Sequence, residues 1–269
     1  MGDTTGIAWT DYTLNHWIGC TKVGPGCDGC YAEARDQRFD GGVHWGVGAP
    51  RRRTSEHTRN RPLKWNRDVA STGRRWVFAS SLCDVFDNEV DPQWRAELFK
   101  LIEVCRNLRF QLTTKRVGLV LKMLPSPVWL RNNPHVGVLA TMVNQKEFDR
   151  DSLKLHDVKD AGAKWVGLSV EPQIGFIDLG GADWLDWVIC GGESDQVGHE
   201  ARDFHLNWAR DLSYQCKRLD IPFFMKQVGS RPIDGFGELP CRDRAGADPR
   251  EWPMEIRIRE MPRVYDGAP

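Results

Sequence analysis

Short apolar segments recur along the chain, separated by intervals long enough for a helix. They are rich in Val, Ile, Phe and Trp and are bounded by turn residues, a pattern that predicts buried strands. The segments are 76–80, 109–114, 136–141, 165–170, 187–191 and 222–226, with a further strand predicted near 7–9. Three of the intervals, 92–105, 144–161 and 204–218, repeat apolar residues at helical spacing.

Strands and helices therefore alternate, which predicts a parallel sheet and the α/β class. We count six to seven β/α units, and no G-x-G-x-x-G motif opens any of the predicted helices. This favours a partial or complete (β/α) barrel over a dinucleotide-binding sheet. The pattern fades after residue 229, so we predict a barrel domain over 1–229 and a C-terminal extension over 230–269.

Three cysteines lie close together in the segment GCTKVGPGCDGCY, residues 19–31, at the spacing C-x6-C-x2-C. Three thiolates leave a four-coordinate metal or a four-iron cluster one ligand short, and an open coordination position is typical of a catalytic centre. Cys20, Cys27 and Cys30 are therefore the predicted metal ligands. No leader or membrane segment is predicted, and in the reducing cytoplasm eight cysteines are not expected to form a disulfide framework.

The charged residues balance over the whole chain but not within one stretch of it. Lys plus Arg and Asp plus Glu each number 37, so no overall field favours nucleic acid or membrane. The stretch 51–75, however, contains nine basic residues and only two acidic ones. The stretch is predicted to be an insertion that contacts phosphates and stacks on bases, or else a solvated segment paired with acidic surface elsewhere. The candidate nucleic-acid-binding residues are Arg51, Arg52, Arg53, Arg59, Arg61, Lys64 and Trp65.

Polar residues follow the predicted strands, and in β/α barrels the catalytic groups gather at these strand ends. The set comprises Ser80, Ser81, Cys83, Asp84, Lys115, Arg116, Ser169, Glu171, Gly191, Gly192, Glu193 and Lys226. Together these residues predict a polar cavity. Lys115 and Lys226 are candidate catalytic cations that anchor a carboxylate or phosphate, or else pair with Glu171 and Glu193.

Several motifs carry a family resemblance over roughly 7–229. They are Trp9-Thr10-Asp11, Asn15, the cysteine segment through Glu33, Thr114-Lys115-Arg116, Ser169-Val170-Glu171-Pro172, Gly191-Gly192-Glu193-Ser194 and 222–227. Together they resemble the phage-encoded three-cysteine-motif proteins that also occur in bacterial genomes. That family is similar to radical S-adenosylmethionine (SAM) enzymes, which implies a radical-SAM-like barrel and a 4Fe-4S cluster on three cysteines. It has also been linked to nucleic-acid modification by gene neighbourhood.

The resemblance implies that SAM binds the open iron. An external one-electron donor would then drive its cleavage to a 5′-deoxyadenosyl radical. The implied cofactor-binding residues are Asn15, Tyr31, Ser80, Ser81, Asp84, Ser169, Glu171, Gly191, Gly192 and Glu193. Cys83 either returns a hydrogen atom to a substrate radical or is a small buried residue. The commoner radical-SAM spacing is C-x3-C-x2-C with an aromatic residue before the last cysteine, whereas Gly29 stands there in this chain.

The leading hypothesis is thus a radical SAM enzyme that modifies or repairs a nucleic-acid base or nucleotide. It is expected in the cytoplasm, the host's if the protein is phage-encoded, without membrane contact and with room for a protein partner. One alternative is a zinc-stabilised nucleic-acid-binding protein, in which His44 or His16 completes a tetrahedral site with the three cysteines. Another is a radical SAM enzyme that acts on a small metabolite.

Overall fold

The computed structural model describes residues 4–264. Its strands are β1 (Tyr12–Leu14), β2 (Trp17–Ile18), β3 (Arg52–Arg53), β4 (Arg75–Ala79), β5 (Leu108–Thr114), β6 (Val136–Thr141), β7 (Trp165–Val170), β8 (Trp187–Gly191), β9 (Phe204–His205), β10 (Phe223–Gln227), β11 (Pro232–Asp234) and β12 (Gly237–Glu238). Its α-helices are α1 (Tyr31–Phe39), α2 (Glu56–Asp68), α3 (Pro92–Val104), α4 (Val120–Met123), α5 (Trp129–Asn132), α6 (Gln145–Asp160) and α7 (Leu206–Arg218).

The main sheet has seven strands in the order β1-β4-β5-β6-β7-β8-β10. The pairs β1 with β4, β4 with β5, β7 with β8, and β8 with β10 are all parallel. Helices follow several of the strands along the chain, so the predicted α/β class is confirmed. The strand order ends at β1 on one side and β10 on the other, as in a partial barrel.

The chain forms two compact units, which we treat separately. Unit 1 contains the chain up to Val23, Tyr31–Leu139 and Asp157–Lys164, and unit 2 contains Gly24–Cys30, Ala140–His156 and the chain from Trp165 onward. The predicted domain boundary at residue 229 stays a prediction. None of the described helices is long and apolar enough to cross a membrane.

In unit 1, one face of β4 and β5 forms the core because Val77, Phe110 and Leu112 are fully buried there. Helix α2 packs on this side, since the Trp65 ring stacks on Tyr12 at 4.4 Å between centroids and Tyr12 pairs with Val77. Helix α3 begins at Pro92 after Asp91, whose carboxylate accepts a hydrogen bond from the Gln93 N–H at 2.8 Å. This cap satisfies a donor that the first turn leaves free.

The first strand lies later in the sequence than predicted. Residues 7–10 form a turn closed by the Thr10 N–H and the Ile7 carbonyl, whereas Tyr12–Leu14 pairs with residues 77–79 of β4. Asp11 fixes this register because its carboxylate accepts the Trp76 N–H at 2.8 Å. The apolar run that suggested a strand at 7–9 is therefore part of the turn that precedes it.

In unit 2, every residue of β7 and β8 is buried, as the continuous apolar runs predict for a parallel sheet. Trp165 and Trp187 pack edge to face at 6.2 Å, and Trp187 Nε1 donates to the Glu260 carbonyl at 2.8 Å. The chain after β10 adds β11, which pairs in parallel with β9 and antiparallel with β12. Residues near the C-terminus thus complete the core of this unit.

Candidate functional site

Asn15 joins the loops that leave β1 and β4 in unit 1. Its Nδ2 donates to Ser81 Oγ at 2.9 Å, and its Oδ1 accepts the Leu82 N–H at 2.7 Å. The Tyr31 hydroxyl donates to the Ser81 carbonyl at 2.5 Å. Three of the predicted cofactor-binding residues, Asn15, Tyr31 and Ser81, are therefore brought together. They form a hydrogen-bonded group at the carboxyl ends of the two strands.

Asp84 organises the ends of β4 and β5. Its carboxylate accepts hydrogen bonds from Thr114 Oγ1 at 2.8 and 3.0 Å, from the main-chain N–H groups of Lys115 and Phe86, and from Arg116 Nη1 at 3.1 Å. Both oxygens are thus occupied by protein donors. The cofactor-binding role of Asp84 stays a prediction, and in this geometry its carboxylate holds Arg116.

Arg116 reaches the first cysteine of the motif. Its Nη1 lies 3.4 Å from Cys20 Sγ, and its Nη2 donates to the Thr21 carbonyl at 2.7 Å. Burial raises the pKa of Cys20 to about 12, and Asp84 adds to this, while Arg116 opposes both. For Arg116, burial alone would lower the pKa, but Asp84 and Cys20 raise it overall. A permanent guanidinium charge therefore faces the sulfur of Cys20.

Cys83 and Ser80 lie inside the same unit. Burial raises the pKa of the Cys83 thiol well above its ordinary value, and the nearby Ser80 side chain opposes this in part. The main chain of Cys83 bridges to Gly19, one residue before Cys20. The raised pKa keeps the Cys83 thiol protonated at neutral pH. The bridge places its main chain beside that of the cysteine motif. Lys115, a candidate catalytic cation, contributes its main-chain N–H to Asp84.

In unit 2, a partly buried ion pair joins Glu171, directly after β7, to Lys226 near the end of β10. Lys226 Nζ lies 2.8 Å from Glu171 Oε1, and Ser169 Oγ donates to Glu171 Oε2 at 3.1 Å. The pairing of Lys226 with Glu171 is one of the two alternatives that the sequence left open. A Cβ atom at Gly191 would lie 3.4 Å from Glu171 Oε1, so the glycine leaves this side of the carboxylate uncrowded.

Gly192 has a packing role. A Cβ atom there would lie only 2.3 Å from the Val228 carbonyl oxygen. The main chains after β8 and β10 approach so closely that any side chain at this position would force them apart. This close packing is enough to explain why residue 192 is a glycine, and its role in cofactor binding stays a prediction.

Glu193 and Arg202 form a clamp on the segment that carries the second and third cysteines. Arg202 Nε and Nη2 donate to the two Glu193 oxygens at 2.8 and 2.7 Å, and Nη1 donates to the Pro25 carbonyl at 3.0 Å and lies 3.3 Å from Asp28 Oδ2. Burial alone would raise the pKa of Glu193, but the hydrogen bonds from Arg202 hold it below its ordinary value. Glu193, predicted to bind the cofactor, thus positions the cysteine segment through Arg202.

Gly29 packs against this clamp. A Cβ atom at Gly29 would lie 2.5 Å from His199 Cδ2 and 2.6 Å from Glu193 Oε1. No side chain fits there unless His199 and Glu193 move. The absence of the aromatic residue that is usual before the last cysteine therefore has a steric reason, and Arg202 and His199 are contacts that the sequence pattern did not locate.

The two histidines considered as zinc ligands differ. His44 Nδ1 lies 2.8 Å from Asp36 Oδ1, and the neighbouring Trp45 bridges to Cys20 through the main chain. His16 is buried, and burial, followed by Arg59 and Arg53, lowers its pKa to about 4. Across residues 4–264, no three His, Cys, Asp or Glu side chains are gathered closely enough to hold a metal ion. The metal assignment of the three cysteines stays a prediction.

The depressed pKa of His16 predicts an acid-sensitive fold. The unfolded chain takes up a proton on this side chain near pH 6.5, whereas the folded chain resists it down to about pH 4. Its stabilising contribution is therefore complete above pH 6.5 and is lost as the pH falls to 4, a loss of about 3 kcal/mol. Urea unfolding at several pH values should show that His16→Leu removes this part of the pH dependence. The exposed His57, changed to Leu, is the matched control and should leave it intact.

The basic stretch is less available than its composition suggests. The Arg51 side chain is 2% exposed and its Nε lies 2.8 Å from Asp87 Oδ2, while Trp65 is buried against Tyr12. Contrary to the sequence interpretation, neither Arg51 nor Trp65 is presented for phosphate contact or base stacking. The other members pair as Arg52 with Asp40, Arg53 with Glu97, Arg59 with the Thr54 carbonyl and Lys64 with Asp68, and Arg61 lies over the Trp65 ring.

Comparison with known families identifies the family to which the chain belongs. A family model described as "Protein of unknown function (DUF5131)" matches residues 4–262. The chain belongs to the DUF5131 family. No curated protein matches this DUF5131 chain. The family description names no activity, so a function has to be argued from the residues of the site.

Solved structures similar to this DUF5131 chain include two of spore photoproduct lyase. One is a mutant with dinucleoside spore photoproduct, at 16% identity and a TM-score of 0.48, covering 86% of this chain and 59% of that chain. The other is the lyase complexed with dinucleoside spore photoproduct, at 15% identity and a TM-score of 0.47, covering 71% and 58%. The DUF5131 chain therefore spans less than two thirds of the length of these proteins.

Proposed function

We propose that this protein is a radical SAM enzyme in which Cys20, Cys27 and Cys30 hold a 4Fe-4S cluster and which acts on a nucleic-acid base or nucleotide. The observation that carries the proposal is the approach of Arg116 Nη1 to within 3.4 Å of Cys20 Sγ. A buried guanidinium beside a cysteine sulfur compensates the negative charge of a thiolate ligand.

The chemistry of the donor set suits such a cluster. The three cysteines are free thiols, partly exposed, and none of them is used in a disulfide. They leave one coordination position for a small molecule. When bound, the cluster would supply the electron that cleaves SAM and generates a 5′-deoxyadenosyl radical. The same chemistry accounts for the sequence resemblance to the three-cysteine-motif proteins.

The chain's own residues hold the loop and offer polar groups. Arg116 fixes the Cys20–Thr21 main chain, and Arg202 fixes the main chain at Pro25. Glu171 lies 2.8 Å from Lys226 Nζ and accepts a hydrogen bond from the Ser169 hydroxyl, and we assign it to the polar groups of SAM. Because Asp84 and Glu193 are already saturated by protein donors, Glu171 is the carboxylate best suited to that role.

The nucleic-acid substrate is supported by local charge. Arg52 and Lys64 have side chains that are 42% and 60% exposed, each paired with one surface carboxylate. Exposed ion pairs are weak and exchange readily for phosphate contacts. Strong salt dependence of oligonucleotide binding is expected from such a surface.

A zinc-stabilised nucleic-acid-binding protein is the second candidate, and one observation favours it. His44 is held at Nδ1 by the Asp36 carboxylate, the arrangement in which a histidine presents Nε2 to a metal. In that case His44 would be the fourth ligand with the three cysteines. The protein would then bind one zinc ion per chain and would not cleave SAM.

Anaerobic reconstitution distinguishes these functions. Reconstituted protein should contain about four iron and four sulfide per chain and should form 5′-deoxyadenosine from SAM with dithionite. The Cys20→Ala, Cys27→Ala, Cys30→Ala triple variant should lose both properties. Cys241→Ala, which removes a partly exposed cysteine outside the motif, should keep both.

The opposite results would refute the proposal. Zinc without iron, or 5′-deoxyadenosine formation that survives in the triple variant, contradicts cluster binding by these cysteines. Mass spectrometry of a supplied oligonucleotide tests the substrate separately. A product found only with a small metabolite would favour the third hypothesis over a nucleic acid.

A further inference from the structure

The two faces of the β4–β5 pair in unit 1 differ in character. On the face that packs against helix α2, the side chains are apolar. Side chains alternate along a strand, so Arg109, Gln111 and Thr113 lie together on the opposite face of β5. The register sets Trp76 beside Arg109 and Phe78 beside Gln111. Arg109 lies over the Trp76 ring at 5.1 Å, which confirms that these cross-strand neighbours share this face.

Gln111 is an unusual residue for the middle of a buried strand. It is fully buried, and its Nε2 donates to the Trp9 carbonyl at 3.3 Å. Its Oε1 has no hydrogen-bond donor in the part of the chain that the structure describes. Thr113 Oγ1, two residues further along the same face, is also buried and has no partner among residues 4–264.

A buried polar atom without a partner destabilises a fold, so two such atoms on one strand face need an explanation. Gln111 and Thr113 could have been Leu and Val at no cost to strand formation. The same strand leads to the predicted chemistry, because Thr114, the residue after Thr113, binds Asp84, which in turn holds Arg116 beside Cys20. Proteins retain such groups where a ligand supplies the missing hydrogen bonds.

We propose that Gln111 and Thr113 form the base-reading part of the substrate site, where Gln111 Oε1 accepts a hydrogen bond from an N–H group on the edge of a nucleobase. This proposal rests on the proposed function and names the part of the substrate that is recognised. The amide of Gln111 offers this acceptor and one further N–H, a pair that matches the edge of a base. The Thr113 hydroxyl donates or accepts beside it.

Two aromatic residues adjoin Gln111. Phe78 lies directly across the strand pair from Gln111, and the Trp9 and Phe78 rings are 4.7 Å apart. Aromatic side chains next to a hydrogen-bonding amide are the usual setting for a base that has been taken out of a helix.

Equilibrium dialysis with each of the four deoxynucleoside 5′-monophosphates tests the proposal on the purified full-length chain, without iron and after reconstitution. At least one of the four should bind, and Gln111→Met should weaken its binding about tenfold. Thr113→Val, which has the same shape, should weaken it by a smaller factor. The matched control is Gln145→Met on helix α6, whose amide is bonded to Asp149 at an exposed site, and it should bind as the unaltered chain does.

Thermal unfolding separates a binding role from a merely structural one. Gln111→Met removes an unpaired buried acceptor but also the Nε2 hydrogen bond to the Trp9 carbonyl, so it should change the melting temperature little while it weakens nucleotide binding. If Gln111→Met changes stability but leaves binding unchanged, or if none of the four nucleotides binds the unaltered chain, the proposal is wrong. The dialysis does not require iron or SAM, so this failure is distinct from a failure to cleave SAM.

Discussion

Replacing Arg116 with Met is expected to lower the free energy of unfolding by about 3–5 kcal/mol, because the change leaves buried carboxylates without their partner. Arg116 Nη1 lies 3.1 Å from Asp84 Oδ2, and Nη2 lies 3.7 Å from Asp87 Oδ1. In the Arg116→Met variant, Asp87 would still pair with Arg51. Asp84 has no other cationic side chain bonded to it among the described residues. Urea unfolding measures the loss.

Three further variants serve as comparisons with Arg116→Met. Lys115→Met removes a neighbouring charge whose main-chain N–H, rather than its side chain, binds Asp84, and it should cost much less. Arg116→Lys should fall between the two, because an ammonium group cannot bond Asp84, Cys20 and Thr21 together. The double change Asp84→Asn with Arg116→Met should be less damaging than the sum of the single changes. Equal losses for Arg116→Met and Lys115→Met would refute the role of the ion pair.

Arg116 also affects the first cysteine of the motif. It lowers the pKa of Cys20 against the raising effects of burial and Asp84. Without the guanidinium, less thiolate is present at a given pH, so alkylation of Cys20 by iodoacetamide should be slower. Mass spectrometry of the Cys20 peptide follows the reaction, and the Cys241 peptide of the same sample is an internal control. Faster alkylation would show that Arg116 shields Cys20 instead of activating it.

The main sheet could be predicted because its central strands carry continuous apolar runs. The strands at 165–170 and 187–191 match the predicted segments, since both are buried on every residue. The first strand was misplaced because Tyr12–Leu14 is short and contains Thr, while 7–9 carries three apolar side chains in a turn. Helix α2 was not predicted because only Pro62 and Trp65 of its residues are buried.

The site was predicted less completely, for a physical reason. Strand-end position gathers Glu171 with Lys226, because parallel strands bring their carboxyl ends to one edge, whereas Asn15, which bonds Ser81, was named only through the family resemblance. Position at a strand end does not show which carboxylates are already hydrogen-bonded to other residues of the protein. Glu193 is saturated by Arg202, nine residues later, and Arg202 contacts Asp28 across 174 positions of sequence. Contacts of that separation leave no periodic signal in a single sequence.

Replacing Gly29 with Ala should displace the segment that carries Cys27 and Cys30. The added Cβ would lie 2.5 Å from His199 Cδ2 and 2.6 Å from Glu193 Oε1. The His199 side chain is 25% exposed and can move outward, whereas Glu193 is 5% exposed and held by Arg202. We expect a loss of about 1–3 kcal/mol in the free energy of unfolding and clearly less iron per chain after reconstitution. Gly237→Ala, where a Cβ meets nothing within 4 Å, is the matched control.

His199→Ala provides the decisive comparison for Gly29, because it removes the nearest clashing atoms. It also removes the 3.2 Å contact between His199 Nε2 and Glu193 Oε1, but it leaves the Arg202 hydrogen bonds to Glu193 in place. His199→Ala alone should retain iron, and combined with Gly29→Ala it should recover part of the lost iron and stability. Recovery in the double variant would tie the defect to this one contact, since independent defects would add. If Gly29→Ala binds iron as well as Gly237→Ala does, the packing of Gly29 against His199 does not position the cysteine segment. The absence of an aromatic residue before Cys30 would then need another explanation.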